Sequence, residues 1–136
     1  LIEDYVEISE LRRLQNESEI HLCLSEAEGF GHYICEPLSA GAIVVTVDGF
    51  PMNELVQPER GLLVNAYHDE PLRFARKFLF DAADFENKIE MLLTMTVDEK
   101  NQMKSKAQEW FIENDEFFQR TLTGIVKNCV NSIKVY

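Results

Sequence analysis

The sequence predicts an α/β fold, a parallel β-sheet with helices packed on it, and three stretches predict it. Ile20 to Leu24 is a short apolar run, followed by a small-residue loop, a helix-like segment and a second apolar run, Ile43 to Val47. Strand, loop, helix, strand is the order of one βαβ unit. Ala42 to Val47 is nearly continuous in apolar residues and rich in β-branched ones, as a strand covered on both faces would be. Gly61 to Val64 adds a short third strand.

Taken in order, Ser9 is a helix N-cap candidate, and Leu11 and Leu14 stand three apart on the short amphipathic helix that leads to the first strand. After the second strand, Asp48-Gly49-Phe50-Pro51 reads as a turn, and Met52 to Val56 as one helical turn closed by Pro58. Ala66 to Arg76 has no clean period and is read as a loop with a turn of helix; Lys77 to Phe80 fits either a brief strand or a helix end. The remainder reads as helical. Asp84 is an N-cap candidate ahead of Phe85, Ile89, Leu92 and Leu93, and Thr96 with Glu99 forms a capping-box pattern. Asn114-Asp115 punctuates the helical pattern. Beyond it Phe118, Leu122, Ile125, Val126, Cys129, Val130 and Ile133 form an apolar stripe expected to face the core.

At 136 residues, residues 1–136 are expected to form a single domain. The net charge of -11, from 24 acidic and 13 basic residues, argues against a nucleic-acid surface, which needs clustered Lys and Arg. No apolar run approaches the length of a membrane span. Cys23, Cys35 and Cys129 make no CxxC pair and sit among apolar neighbours, so buried reduced thiols in a cytoplasmic protein are expected. The three His (His21, His32, His68) make no ligand-spaced cluster with them, and no metal site is expected.

The candidate site is Ser25 to Gly41, SEAEGFGHYICEPLSAG. Glu28 and Glu36 lie on either side of the loop and the first helical turn. Gly29 and Gly31 flank Phe30 and are read as letting the backbone approach a ligand. The amides that open the helix have no intrahelical partner and favour an anion. Carboxylates that grip hydroxyls beside a cradle for phosphate point to a sugar nucleotide.

This stretch resembles the C-terminal, donor-binding domains of retaining GT-B glycosyltransferases of the glycosyl transferases group 1 type. Those carry a glutamate, a GFG-like loop and a second glutamate after seven intervening residues, matched here by Glu28, Gly29-Phe30-Gly31, His32-Tyr33-Ile34-Cys35 and Glu36. Leu38 to Gly41 with Ile43 to Thr46, Pro51 to Val56, and Gly61 to Val64 resemble the blocks that follow in that family. The match runs from about Ser9 to Val64 and is weaker through the C-terminal helices. It implies a Rossmann-like parallel sheet with flanking helices, a partial GT-B C-terminal domain whose first βα units precede Leu1.

The resemblance also implies roles. Glu36 would accept hydrogen bonds from the ribose hydroxyls of the nucleotide. Glu28, the catalytic candidate, would contact the transferred sugar near the reacting carbon. The amides of Phe30, Gly31 and His32 would meet sugar hydroxyls or the diphosphate, with Asn53 and Glu54 as further donor-binding candidates. The His32 side chain would either add a donor to the phosphates or cap the helix. Arg60 is read as an exposed basic residue, and Tyr33 as core or loop support. No cofactor is expected besides the nucleotide-sugar donor, and the acceptor is open among glycan, lipid and protein. Two other functions compete: a GT-B-type sugar-nucleotide epimerase, and a non-catalytic nucleotide-sugar-binding or interaction fragment. From a sheet that ends in an open edge, the isolated fragment is expected either to self-associate or to cover the exposed face with its own helices.

Overall fold

The computed structural model describes residues 5–72 and 75–133. Its elements, in chain order, are α1 (Ile8–Glu17), β1 (Ile20–Cys23), α2 (His32–Ser39), β2 (Ile43–Val47), α3 (Met52–Leu55), β3 (Gly61–Val64), β4 (Ala66–Leu72), β5 (Ala75–Phe80), α4 (Ala82–Thr94) and α5 (Val97–Ile133). β1, β2 and β3 form a parallel sheet in that order, with Ile20 beside Ile43 and Val44 beside Gly61. The fold is therefore α/β and Rossmann-like, as the apolar runs predict.

β2 is the central strand, and all five of its residues are buried. From Ile43 to Val45 successive side chains enter two different cores. Val44 joins a cluster with Cys23, Ile34, Leu38, Met52, Leu55 and Ala107, drawn from β1, α2, α3 and α5. Ile43 and Val45 join Leu62, Val64 and Leu92, with Phe85 and Met103 packed against them. Helices thus cover both faces of β2, which is why its sequence shows no alternation. Thr46, the polar member of the strand, donates its hydroxyl to Cys23 O at 2.7 Å and ties the carboxyl ends of β1 and β2 together.

Four sequence expectations are corrected. Ala66 to Arg76 is not a loop: β4 and β5 pair as an antiparallel hairpin, with an irregularity in register between His68 and Pro71. α1 begins at Ile8 with Glu7 at the N-cap, so Ser9 lies inside the helix. Asp81, not Asp84, caps α4, its Oδ1 accepting from the amides of Ala83 (2.9 Å) and Asp84 (3.2 Å). Asp84 is free to accept the Asn65 amide at 2.7 Å, joining α4 to the segment after β3.

The fourth correction is to α5, which runs unbroken through Asn114-Asp115 and is 37 residues long. The capping box at its start is present, with Thr96 N–H donating to Glu99 Oε2 at 2.8 Å. Ala107 in its first half is buried against the sheet. The stripe beyond Asn114 is not core-facing: Phe118, Leu122, Ile125, Val126 and Val130 are all exposed. No described element covers it, and the Ile133 side chain lies outside the described residues. Cys129 is exposed with this stripe, while Cys23 and Cys35 are buried as expected. Among the described residues no helix is long and apolar enough to cross a membrane.

Candidate functional site

The loop between β1 and α2 is shaped by Gly31. It is the N-cap of α2 and has φ 95° and ψ 50°, the left-handed region that disfavours side chains. A Cβ here would also come within 2.9 Å of Leu55 Cδ1. Backbone conformation and close packing on α3 both require glycine. The Gly31 carbonyl accepts from the amides of Ile34 (3.0 Å) and Cys35 (3.1 Å), which starts the helix. Among the described residues no acceptor takes the amides of Phe30, Gly31 or His32. Gly29 differs from Gly31: a Cβ there would meet nothing within 4 Å, and its φ is not positive. The sequence pattern treats the two glycines alike; the structure needs only one.

Glu28 is half-buried and held by a short chain of hydroxyls. Ser25 Oγ donates to Glu28 Oε1 at 2.5 Å. The Tyr33 phenol donates to Ser25 Oγ at 2.6 Å, and Ser25 N–H donates back to Tyr33 Oη at 3.0 Å. Burial raises the pKa of the Tyr33 phenol, opposed by its hydrogen bonds with Ser25. Burial, with the Glu28 charge adding to it, pushes the Cys23 thiol up to about 12. Both groups are therefore neutral at physiological pH. Sequence reading assigned Tyr33 to support without locating what it supports.

Glu36 is exposed on α2, and Gln15 of α1 donates to its Oε2 at 2.6 Å. It lines a groove of about 600 Å³ between α2 and α5. Phe30, His32 and Glu36 form one wall, and Phe111, Phe118 and Leu122 line the other. The rings of Phe30 and His32 lie 5.2 Å apart between centroids, and His32 makes no cap to the helix. Glu28, Asn53 and Glu54 do not line this groove.

Asn53 Nδ2 donates to Asp48 Oδ1 at 2.9 Å, which places both just beyond the carboxyl end of β2. Glu54 is exposed one residue on. Arg60 is not the exposed residue expected from the sequence; only 8% of its surface is accessible. Its Nε donates to Leu55 O at 3.0 Å and its Nη2 to Glu54 O at 3.2 Å, so it closes the carboxyl end of α3. Glu59 accepts from Nη1 at 2.6 Å. Burial lowers the guanidinium pKa and Glu59 opposes the shift. Among the described residues no three His, Cys, Asp or Glu side chains are grouped to hold a metal ion.

Against known proteins, the sequence profile of the family described as glycosyl transferases group 1 matches residues 4–110. The chain is also similar to a protein of Acidianus filamentous virus 2 (isolate Italy/Pozzuoli) named "Putative glycosyltransferase ORF330". The two are 26% identical over 125 residues, covering 88% of this chain and 35% of that protein. The chain thus spans about a third of the length of the relative it matches.

Proposed function

The chain belongs to the glycosyl transferases group 1 family, and from that premise we propose that it supplies part of the donor site of a retaining GT-B glycosyltransferase. The enzyme moves a hexosyl-type sugar from a nucleotide-sugar donor to a glycan, lipid or protein acceptor, in the cytoplasm and with no cofactor beyond the donor. Because the chain spans a third of its relative, the reading assigns activity to a longer protein and inactivity to this chain alone.

One observation supports the reading above the others. Glu28, the unengaged amides of Phe30 to His32, and Glu36 follow one another across a single loop and helix start, whose path is set by Gly31. Amides at a helix start favour the negative charge of a diphosphate without any basic side chain. Glu36 is accessible and, among the described residues, its carboxylate accepts one hydrogen bond, from Gln15, which leaves room for a ribose diol. Glu28 has one oxygen held by Ser25 and can set its charge beside the sugar carbon as positive charge develops there. Asn53 and Glu54, beyond β2, stand where open α/β sheets take ligands. In this reading the chain in isolation self-associates, through the open β1 edge and the exposed stripe of α5.

The test is release of a nucleoside diphosphate by the full-length protein from a panel of nucleotide sugars. Release that is lost in Glu28→Gln supports the assignment. Turnover unchanged in that variant, or no release from any nucleotide sugar, overturns it.

A further inference from the structure

We propose that Tyr33 is a positioning residue for Glu28, acting through the hydroxyl of Ser25. The inference rests on the assignment of Glu28 to the sugar site made above, and goes beyond it to a residue whose type the glutamate and glycine pattern leaves open.

Proton counting sets the direction of the chain. A serine hydroxyl has one proton to give, and an ionised carboxylate can only accept. The contact between Ser25 Oγ and Glu28 Oε1, at 2.5 Å, therefore uses the Ser25 proton. The contact between Ser25 Oγ and Tyr33 Oη, at 2.6 Å, must then use the phenol proton. Tyr33 Oη is itself fixed as an acceptor by Ser25 N–H at 3.0 Å. Tyr33 thus grips Ser25 at two atoms, and the hydroxyl proton of Ser25 is left with Glu28 as its partner.

The anchor at the far end is firm. Tyr33 lies in the first turn of α2, two residues after the N-cap glycine, Gly31, whose conformation is fixed. Its carbonyl accepts the Cys23 thiol at 3.6 Å, which ties it to the end of β1. A phenol already carries its proton at neutral pH and burial shifts its pKa further up, so the donor is present there. One Glu28 oxygen, Oε1, is thereby held by Ser25. Preorganisation of this kind acts where charge develops, in the transition state, more than in ground-state binding.

The experiment measures nucleoside diphosphate release by the full-length enzyme. Tyr33→Phe, which keeps the ring, is expected to lower kcat roughly fivefold to twentyfold, the worth of one to two hydrogen bonds, with donor KM within about twofold. Ser25→Ala is expected to do at least as much. The double variant is expected to be no slower than Ser25→Ala, because Tyr33 acts only through Ser25. Ser25→Thr, which keeps a hydroxyl, is expected to stay within about threefold of wild type. Full kcat in Tyr33→Phe, multiplying losses in the double variant, equal losses in Ser25→Thr and Ser25→Ala, or a KM rise as large as the kcat fall would each overturn the positioning role while leaving the sugar-site assignment standing. A wild-type enzyme that releases no nucleoside diphosphate from any nucleotide sugar overturns both.

Discussion

The guanidinium of Arg60 lies over the indole ring of Trp110, 4.6 Å from its centroid, and joins the end of α3 to the half of α5 that packs on the sheet through Ala107. Arg60 also closes two carbonyls of α3, so one side chain does two jobs that a lysine cannot do together. Arg60→Met should cost about 2–4 kcal/mol of unfolding free energy, from a lost cation–π contact and an unsatisfied buried carbonyl. Arg60→Lys should recover less than half of that. Urea denaturation of the chain checks both, and a loss under about 0.5 kcal/mol for Arg60→Met would reject the buried role.

The two loop glycines should respond differently. Gly31→Ala meets a left-handed φ and a Leu55 methyl at 2.9 Å, and should cost about 1–3 kcal/mol. Gly29→Ala meets open space and should stay within about 0.5 kcal/mol of wild type. Equal thermal shifts in the two variants would contradict this.

Glu28 and Glu36 should fail differently in the full-length enzyme. In the proposed donor site Glu36→Ala would remove a ribose contact made in ground and transition states alike, and should raise donor KM by about one to two orders of magnitude. Glu28→Gln keeps the shape and removes charge, so kcat should fall roughly 10²-fold or more while calorimetry still detects donor binding. Losses of the same step to the same degree would show that the division of labour is wrong.

The thiols supply a pH prediction. Cys23 titrates near 12 when folded, against 9.0 for a free thiol. Between those values the unfolded chain has released this proton and the folded chain has not. Stability from this group is therefore complete below about pH 9 and is lost as pH rises toward 12, at up to ~1.4 kcal/mol per pH unit. Cys23→Ala should flatten the alkaline limb of stability against pH. Iodoacetamide at pH 8 should modify exposed Cys129 and spare Cys23 and Cys35 until the chain unfolds. Labelling of all three thiols at one rate would refute the burial.

Self-association should depend on the α5 stripe. Sedimentation should show dimers or larger species for the isolated chain, and Leu122→Glu with Ile125→Glu should shift it toward monomer. A monodisperse monomer at high concentration in wild type would exclude it, and the net charge of -11 makes moderate salt the proper condition.

What was legible in the sequence divides along a physical line. β2 was readable because burial on both faces leaves only apolar residues and threonine, and the Thr96–Glu99 box because both partners lie within one turn. The hairpin was not: polar residues and Pro71 interrupt its alternation, and its register shifts at the same place. α5 passes through Asn114 and Asp115 because each costs a helix well under 1 kcal/mol, unlike proline. Glu28 and Glu36 are singled out by the pattern they form with Gly29 and Gly31, whereas the Arg60–Trp110 contact and the Tyr33–Ser25–Glu28 chain depend on paths that no local pattern encodes.

The hairpin has a bearing on the order in which the molecule is built. The Phe78 amide donates to Glu26 O at 2.7 Å, and Lys77 pairs with Glu26 at 3.0 Å. A Cβ on Gly49 would lie 2.5 Å from the Phe78 ring, so strand β5 presses on the turn after β2 as well as on the loop of Glu28. Stretches around Glu26 and Gly49 thus meet at Phe78, the first at its amide and the second at its ring, and contacts of such long sequence separation slow folding. The loop of Glu28 therefore gains these contacts only once β5 has been delivered by the ribosome, whereas β1, α2 and β2 can associate before it.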